Sequence, residues 1–276
     1  MFTLNCKGKM LFVEKPLVMG ILNINDDSFY KGNRSQNMDV ILKKAEQMIE
    51  EGADILDIGG QSTRPESIRI SEAEELQRSL PVIEMMIKKS FKVLLSIDTY
   101  YATVAKEAVQ AGASIVNDIS AGEMDKTMLT TVGLLSVPYI CMHMKGVPET
   151  MHLNIHYENV TTEVLDFFIK KTAECNEAGI KDIIIDPGFG FGKNIHHNFQ
   201  LLKNLQLFRI LGKPIMAGLS RKSSIYKTLH TTAEDSLNGT TVLNTIALQN
   251  GASILRVHDV KEAKEAITLF EAYRKA

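Results

Sequence analysis

The sequence predicts an α/β fold, a single domain closed as a (β/α)8 barrel, and three observations carry that expectation. A helix–glycine–strand unit recurs four times at a nearly constant interval, each interval has room for one further strand, and every strand ends on or near a polar residue. In the recurring unit a helical pattern stops at a glycine and passes at once into a short apolar run: Gly52 to Asp57, Gly112 to Asn117, Gly179 to Asp186 and Gly251 to Arg256. The glycines stand 60, 67 and 72 residues apart. One βα unit takes roughly 30 residues, so each interval holds two of them.

The intervening strands lie where that spacing requires, at Leu17 to Asn23, Lys92 to Asp98, Pro138 to His143 and Pro214 to Gly218. Between strands the pattern is helical: Ile41, Ala45, Met48 and Ile49 fall at i, i+4, i+7 and i+8 and share one face. The glycine after such a helix is suited to its C′ position, because a residue without Cβ takes the left-handed conformation at little cost.

Alternating strands and helices of this length can stay open as a doubly wound sheet or close as a TIM-type barrel. In chain order the strands finish on or near Asn23, Asp57, Asp98, Asn117, His143, Asp186, Ser220 and His258. An open sheet gathers its ligand contacts at one switch point, whereas a barrel draws on all eight strand ends, so the polar ends favour the barrel with its site on that rim. Strand ends also meet water, and a carboxylate there can cap the next helix, a role that suits Asp118.

Composition narrows the function. A chain of 276 residues with 45% hydrophobic content suits one domain over residues 1–276. With 31 basic and 33 acidic residues and no basic block, it has no electrostatic footprint for nucleic acid or an anionic membrane. No apolar run is long enough to span a bilayer, and Met1 to Met10 lacks the apolar core of a signal peptide. Cys6, Cys141 and Cys175 are odd in number and form no Cys-x-x-Cys pair, which fits the reducing cytoplasm. Small-molecule chemistry is the expectation.

Two tempting motifs fail on their residues. Gly188 to Asn194 looks like a phosphate loop but has Asn194 where such a loop needs Ser or Thr and Pro187 where its first glycine belongs, so it reads as an ordinary βα loop. His152 and His156 have helical metal-ligand spacing, yet Leu153 stands where a zinc protease carries glutamate, so a surface role is expected.

Six segments carry the specific signal. They are Met19-Gly20-Ile21-Leu22-Asn23 with Asp27-Ser28-Phe29; Asp57 to Pro65; Ser96-Ile97-Asp98-Thr99; Asn117-Asp118-Ile119-Ser120; Asp186 to Lys193; and Gly218 to Ser223 with Arg256-Val257-His258-Asp259. In that order and spacing they resemble the dihydropteroate synthases of folate biosynthesis, from about Val18 to the last helix. Met142-His143-Met144 with Pro148 adds a seventh.

The resemblance implies a (β/α)8 barrel and a transferase reaction in which 4-aminobenzoate displaces pyrophosphate from 6-hydroxymethyl-7,8-dihydropterin diphosphate. It implies pterin contacts from Asp98, Asn117, Asp186, Lys222, Met142, Phe191 and Gly218, with Asp57 behind them. A pterin offers an amino group and a ring N–H side by side, a donor fork that the Asp186 carboxylate can accept in bidentate fashion. Asn23, Arg64, Arg256 and His258 are the implied pyrophosphate residues, and Arg256 and His258, two apart on the last strand, are expected to grip one anion from the same face.

Thr63, Pro65, Ser220 and Phe191 are the implied aminobenzoate residues, and Lys222, Asp98, Arg256 and His258 the catalytic ones. Asn23 resembles the family's magnesium ligand; a lone amide holds Mg2+ poorly, so the ion is expected to assemble with the diphosphate. A homodimer through outer helices is a further implication, as is sensitivity to sulfonamides. Because a dihydropterin can spread positive charge into its ring, departure of pyrophosphate is expected to run ahead of attack, in an SN1-like displacement.

The alternative reading is a pterin-binding methyltransferase barrel, which shares Asp98, Asn117 and Asp186 but passes a methyl group to a corrinoid. Ser62-Thr63-Arg64-Pro65 and Ser220-Arg221-Lys222 favour the synthase. Three positions depart from the family: Gln61 replaces its usual glutamate, Asn25-Asp26 its Thr-Pro, and Phe189 a smaller aliphatic residue.

Overall fold

The computed structural model describes residues 1–24, 34–61, 69–153 and 155–276. After an N-terminal hairpin, β1 (Phe2–Cys6) and β2 (Lys9–Val13), the strands are β3 (Leu17–Asn23), β4 (Ile55–Gly59), β5 (Leu94–Asp98), β6 (Ile115–Asp118), β7 (Tyr139–Met142), β8 (Ile183–Asp186), β9 (Met216–Ala217) and β10 (Ile254–Val257). The α-helices among the described residues are α1 (Arg34–Glu50), α2 (Glu72–Lys88), α3 (Ala102–Ala111), α4 (Met128–Leu135), α5 (Val160–Glu177), α6 (Ile195–Lys203), α7 (Ser223–Tyr226), α8 (Leu237–Gln249) and α9 (Val260–Lys275).

Strands β3 to β10 form one parallel eight-stranded sheet in the order β8-β7-β6-β5-β4-β3-β10-β9. A bridge between Ile185 and Ile215 joins its two edges and closes the barrel. The expected strands therefore stand in place, with the seventh reduced to Met216–Ala217 from the predicted Pro214 to Gly218.

Local sequence explains these elements. On α1, Ile41, Leu42, Ala45 and Met48 are buried against the strands, as their spacing predicts. Gly52, Gly112, Gly179 and Gly251 all have positive φ. At Gly112 the requirement is also steric, since a Cβ there would stand 2.4 Å from the Ile87 side chain.

The N-terminal hairpin has no counterpart in the sequence expectations. Its turn, Lys7-Gly8, has positive φ at both residues, as a tight two-residue hairpin loop demands. Leu4 and Cys6 project from β1 onto Met19, Ile55, Ile115, Ile140, Ile184, Met216 and Ile254, the lowest inward layer of the barrel. The hairpin thus plugs the end opposite the polar rim. Burying each side chain of this size contributes roughly 1.5–3 kcal/mol.

Register sets the level of the rim. Asn23 lies opposite Gly59, Gly59 opposite Asp98, and Asp98 opposite Asn117, so three expected site residues share one row across β3 to β6.

Candidate active site

The row opens onto a charged network inside the barrel mouth. Arg256, from β10, reaches across the lumen: its Nε donates to Asp57 Oδ2 at 2.7 Å and its Nη2 to Asp98 Oδ2 at 2.6 Å. Asp57 Oδ2 also accepts from Asn117 Nδ2 at 2.8 Å. Asp57 is fully buried, which makes it the anchor that orients both the guanidinium and the amide.

Without a ligand the Arg256 guanidinium is held by two carboxylates. His258 sits instead against Ser220, with Ser220 Oγ 3.0 Å from His258 Nδ1 and accepting the His258 backbone N–H at 3.2 Å. Burial, with Arg256 nearby, lowers the His258 pKa to about 4. In the ligand-free protein His258 is therefore a neutral imidazole, and only a bound anion would favour its charged form.

The remaining rim residues converge on the same space. Asp186 ends β8 and its Oδ1 accepts the Gly188 N–H at 2.8 Å. Burial raises its pKa and the Lys222 charge opposes that rise. A Cβ on Gly218 would lie 3.8 Å from Lys222 Nζ and 3.9 Å from Asp186 Oδ2, so this glycine keeps the floor between cation and carboxylate open. Lys222 donates to the Phe189 carbonyl and sits 4.7 Å from the centre of the Phe191 ring. Its burial brings its pKa down to about 8, against the pull of Asp186.

Asp98 is raised to about 7, chiefly by burial, with Arg256 opposing and the carboxylates of Asp57, Asp118 and Asp186 adding to the rise. Met142 and Phe191 pack with Tyr100, Ile119 and Met151 into an apolar wall beside these polar groups. A recess that sets carboxylates and an amide against an apolar wall is suited to a flat, N–H-rich heterocycle.

Several expectations resolve differently. Asp118 does cap, but it caps a turn: its carboxylate accepts from Ser120 N–H and Oγ, Gly122 N–H and the Tyr139 hydroxyl, well before α4 begins at Met128. The helix that follows Ser220, α7, is only four residues long. Phe189 is fully buried, so its size fills the core and only its carbonyl meets the site. Gln61 Oε1 accepts the Ile70 N–H at 2.8 Å and the Tyr100 hydroxyl at 3.2 Å, tying together the two ends of the segment between them. Thr63, Arg64, Pro65 and Asn25-Asp26 lie outside the described residues.

His152 and His156 are exposed. Among the described residues no group of three His, Cys, Asp or Glu side chains is gathered to hold a metal. Asn23 is exposed at the end of β3, its Oδ1 standing 3.5 Å from where a Cβ on Gly59 would be. Two residues beside the site carry no expected role: Tyr100, an aromatic after Asp98-Thr99, reads as core, and Lys193 ends a family segment without a function implied for it.

Recessed acceptors, an apolar wall and a half-buried lysine at the C-terminal rim define a pterin-binding barrel. The family model described as pterin binding enzyme matches residues 19–258, and the chain belongs to that family. A dihydropteroate synthase of Haemophilus influenzae is 44% identical over 271 residues, 98% of each chain. The Yersinia pestis dihydropteroate synthase, solved as a sulfonamide drug complex, superposes with a TM-score of 0.93 at 40% identity over 100% of both chains. The Xanthomonas albilineans dihydropteroate synthase in complex with 7,8-dihydropteroate gives a TM-score of 0.87 at 36% identity over 99% of both.

Proposed function

We propose that this chain acts as a dihydropteroate synthase, joining 6-hydroxymethyl-7,8-dihydropterin diphosphate to 4-aminobenzoate with release of pyrophosphate. The observation that carries this reading is the convergence of Asp98, Asn117, Asp186 and Lys222 on one recess walled by Met142 and Phe191. The Xanthomonas relative solved with 7,8-dihydropteroate supports the same assignment, since that compound unites the two halves.

Asp186 accepts the pterin's N–H fork, Asn117 is oriented for the ring by Asp57, and Lys222 lies where pterin and aminobenzoate meet. The C–O bond to the diphosphate breaks ahead of C–N bond formation, its electron pair leaving with pyrophosphate, and the aniline nitrogen then passes one proton to solvent. The Asp98 carboxylate stabilises the positive charge that builds on the pterin between these events, an interaction strongest near the transition state. In this reading Ser220 and Phe191 border the aminobenzoate end, and His258, beside Ser220, borders the pyrophosphate end.

The described residues do not form a self-standing magnesium site, because Asn23 supplies a single neutral oxygen. We propose that Asn23 would hold Mg2+ together with the bound diphosphate, where the ion would supply charge neutralisation. No helix among the described residues is long and apolar enough to cross a membrane. A cytoplasmic enzyme agrees with three cysteines that are free and buried. A homodimer through the outer helices is part of the same reading, supported by an apolar groove between α8 and α9 bordered by Leu237, Leu269, Phe270 and Tyr273. Formation of dihydropteroate from the two substrates, with release of pyrophosphate, tests the activity; no dihydropteroate from the two together would overturn it.

A further inference from the structure

Lys193 is a buried lysine with an unusual set of partners. Its Nζ lies 2.8 Å from His143 Nδ1 and donates to the carbonyls of Gly188 at 3.0 Å, Phe191 at 3.0 Å and His143 at 3.3 Å. Burial pulls its pKa down while Asp186 opposes the fall. Three carbonyls and a ring nitrogen are all acceptors, which is the environment an ammonium needs, so the proton on His143 belongs on Nε2. Burial and the Lys193 charge hold His143 at about 2, so the ring stays neutral.

These partners lie behind the glycine loop that follows β8. Gly188 and Gly192 have positive φ, and Cβ atoms on them would stand 1.9 Å from the His143 carbonyl oxygen and 2.4 Å from that of Lys145. The loop is therefore pressed, backbone on backbone, against the segment leaving β7. Its opposite side holds Lys222: the Phe189 carbonyl accepts from Nζ, the Phe191 ring lies beside it, and a Cβ on Gly190 would come within 3.2 Å of Cδ. The loop carbonyls of Gly188 and Phe191 flank that of Phe189, so the two lysines grip one short stretch of backbone from opposite sides.

We propose that Lys193 is a positioning residue for Lys222: with neutral His143 it staples the glycine loop from behind, and the stapled loop fixes where the Lys222 ammonium stands at the barrel mouth. The proposal rests on the assignment of Lys222 to the site above. It assigns a task to the Lys193–His143 contact that burial alone does not, because a methionine would fill the same space without gripping the carbonyls.

A double-mutant cycle in kcat/KM for pyrophosphate release tests it. Lys193→Met is expected to lose about tenfold or more in the native background and less than about twofold when Lys222 is already Met. Equal losses in both backgrounds would overturn the proposal, because a general structural defect is additive. If the native chain releases no pyrophosphate, the functional reading fails. The Lys222 13Cε resonance, followed through a pH titration, then still decides: Lys193→Met should move its midpoint, and an unmoved midpoint overturns the staple. Should Lys193→Met not fold, His143→Leu removes one partner only and is expected to show the same dependence on Lys222 with a smaller loss; equal losses with and without Lys222 overturn the proposal equally.

Discussion

Arg256 Nη2 stands 2.6 Å from Asp98 Oδ2, so the cation of the last strand already neutralises a carboxylate of the fifth across the lumen. The same guanidinium holds Asp57. Cutting one partner from such a buried network leaves uncompensated charge, which costs about 3–5 kcal/mol. Arg256→Ala should therefore lose stability of that order in denaturant unfolding. It should also weaken binding of the bare pterin, since Asp98 without its partner shifts further towards the neutral acid. Native-like stability, with a loss confined to the diphosphate ligand, would restore the simpler anion clamp.

The pH dependence of turnover follows from Asp98 and Lys222. Burial lifts the Asp98 pKa to about 7, so the carboxylate that stabilises a developing cation prevails only above that pH. Burial brings Lys222 to about 8, so its ammonium prevails only below that value. A bell-shaped profile between these limits is expected, its apparent values belonging to the coupled groups together. Asp98→Asn should remove the acid limb and lower kcat more than it raises KM, and Lys222→Met should remove the alkaline limb. Rate profiles that keep both limbs in both variants would show that other groups control them.

Asp186→Asn exchanges one acceptor for an NH2 that faces the ligand's own N–H groups. A lost charge-assisted bond is worth about 1.5–3 kcal/mol, so affinity for the bare pterin should fall by more than about tenfold. Titration calorimetry on the folded variant measures this directly, and unchanged affinity would move the pterin elsewhere in the recess.

Glu75, on α2, is fully buried. Burial, opposed by the Thr99 hydroxyl and reinforced by the Asp98 charge, raises its pKa from 4.5 to about 8. The fold thus prefers the neutral acid: the contribution is complete below about 4.5 and is lost as the pH climbs through about 8. Glu75→Gln keeps the shape without the titration. Thermal unfolding at pH 5.5 and 8.5 should show the variant gaining on the native chain at the higher pH by several degrees, at roughly 2–4 °C per kcal/mol. An equal gap at both values would mean Glu75 is solvated.

The repeat of glycine-led strands was enough to place all eight barrel strands, because hydrophobic periodicity and a C′ glycine are local signals. The hairpin escaped because Asn5, Lys7 and Lys9 break its apolar pattern, and its burial depends on a barrel end that exists only after closure. The two-residue β9 is shorter than its apolar run for a similar reason, since its pairing depends on the geometry of the seam.

For the site, the sequence alone determined which polar residues end the strands, and the register then set Asn23, Asp98 and Asn117 at one level. Only the tertiary structure decided their partners. It gave Arg256 to Asp57 and Asp98, His258 to Ser220, and Lys193 to the back of the loop that holds Lys222. A strand's polar end is written in a few neighbouring residues. Which charge it meets depends on strands that are far apart in the chain and face one another only when the barrel closes, in a lumen dry enough that each buried charge must find its counterpart.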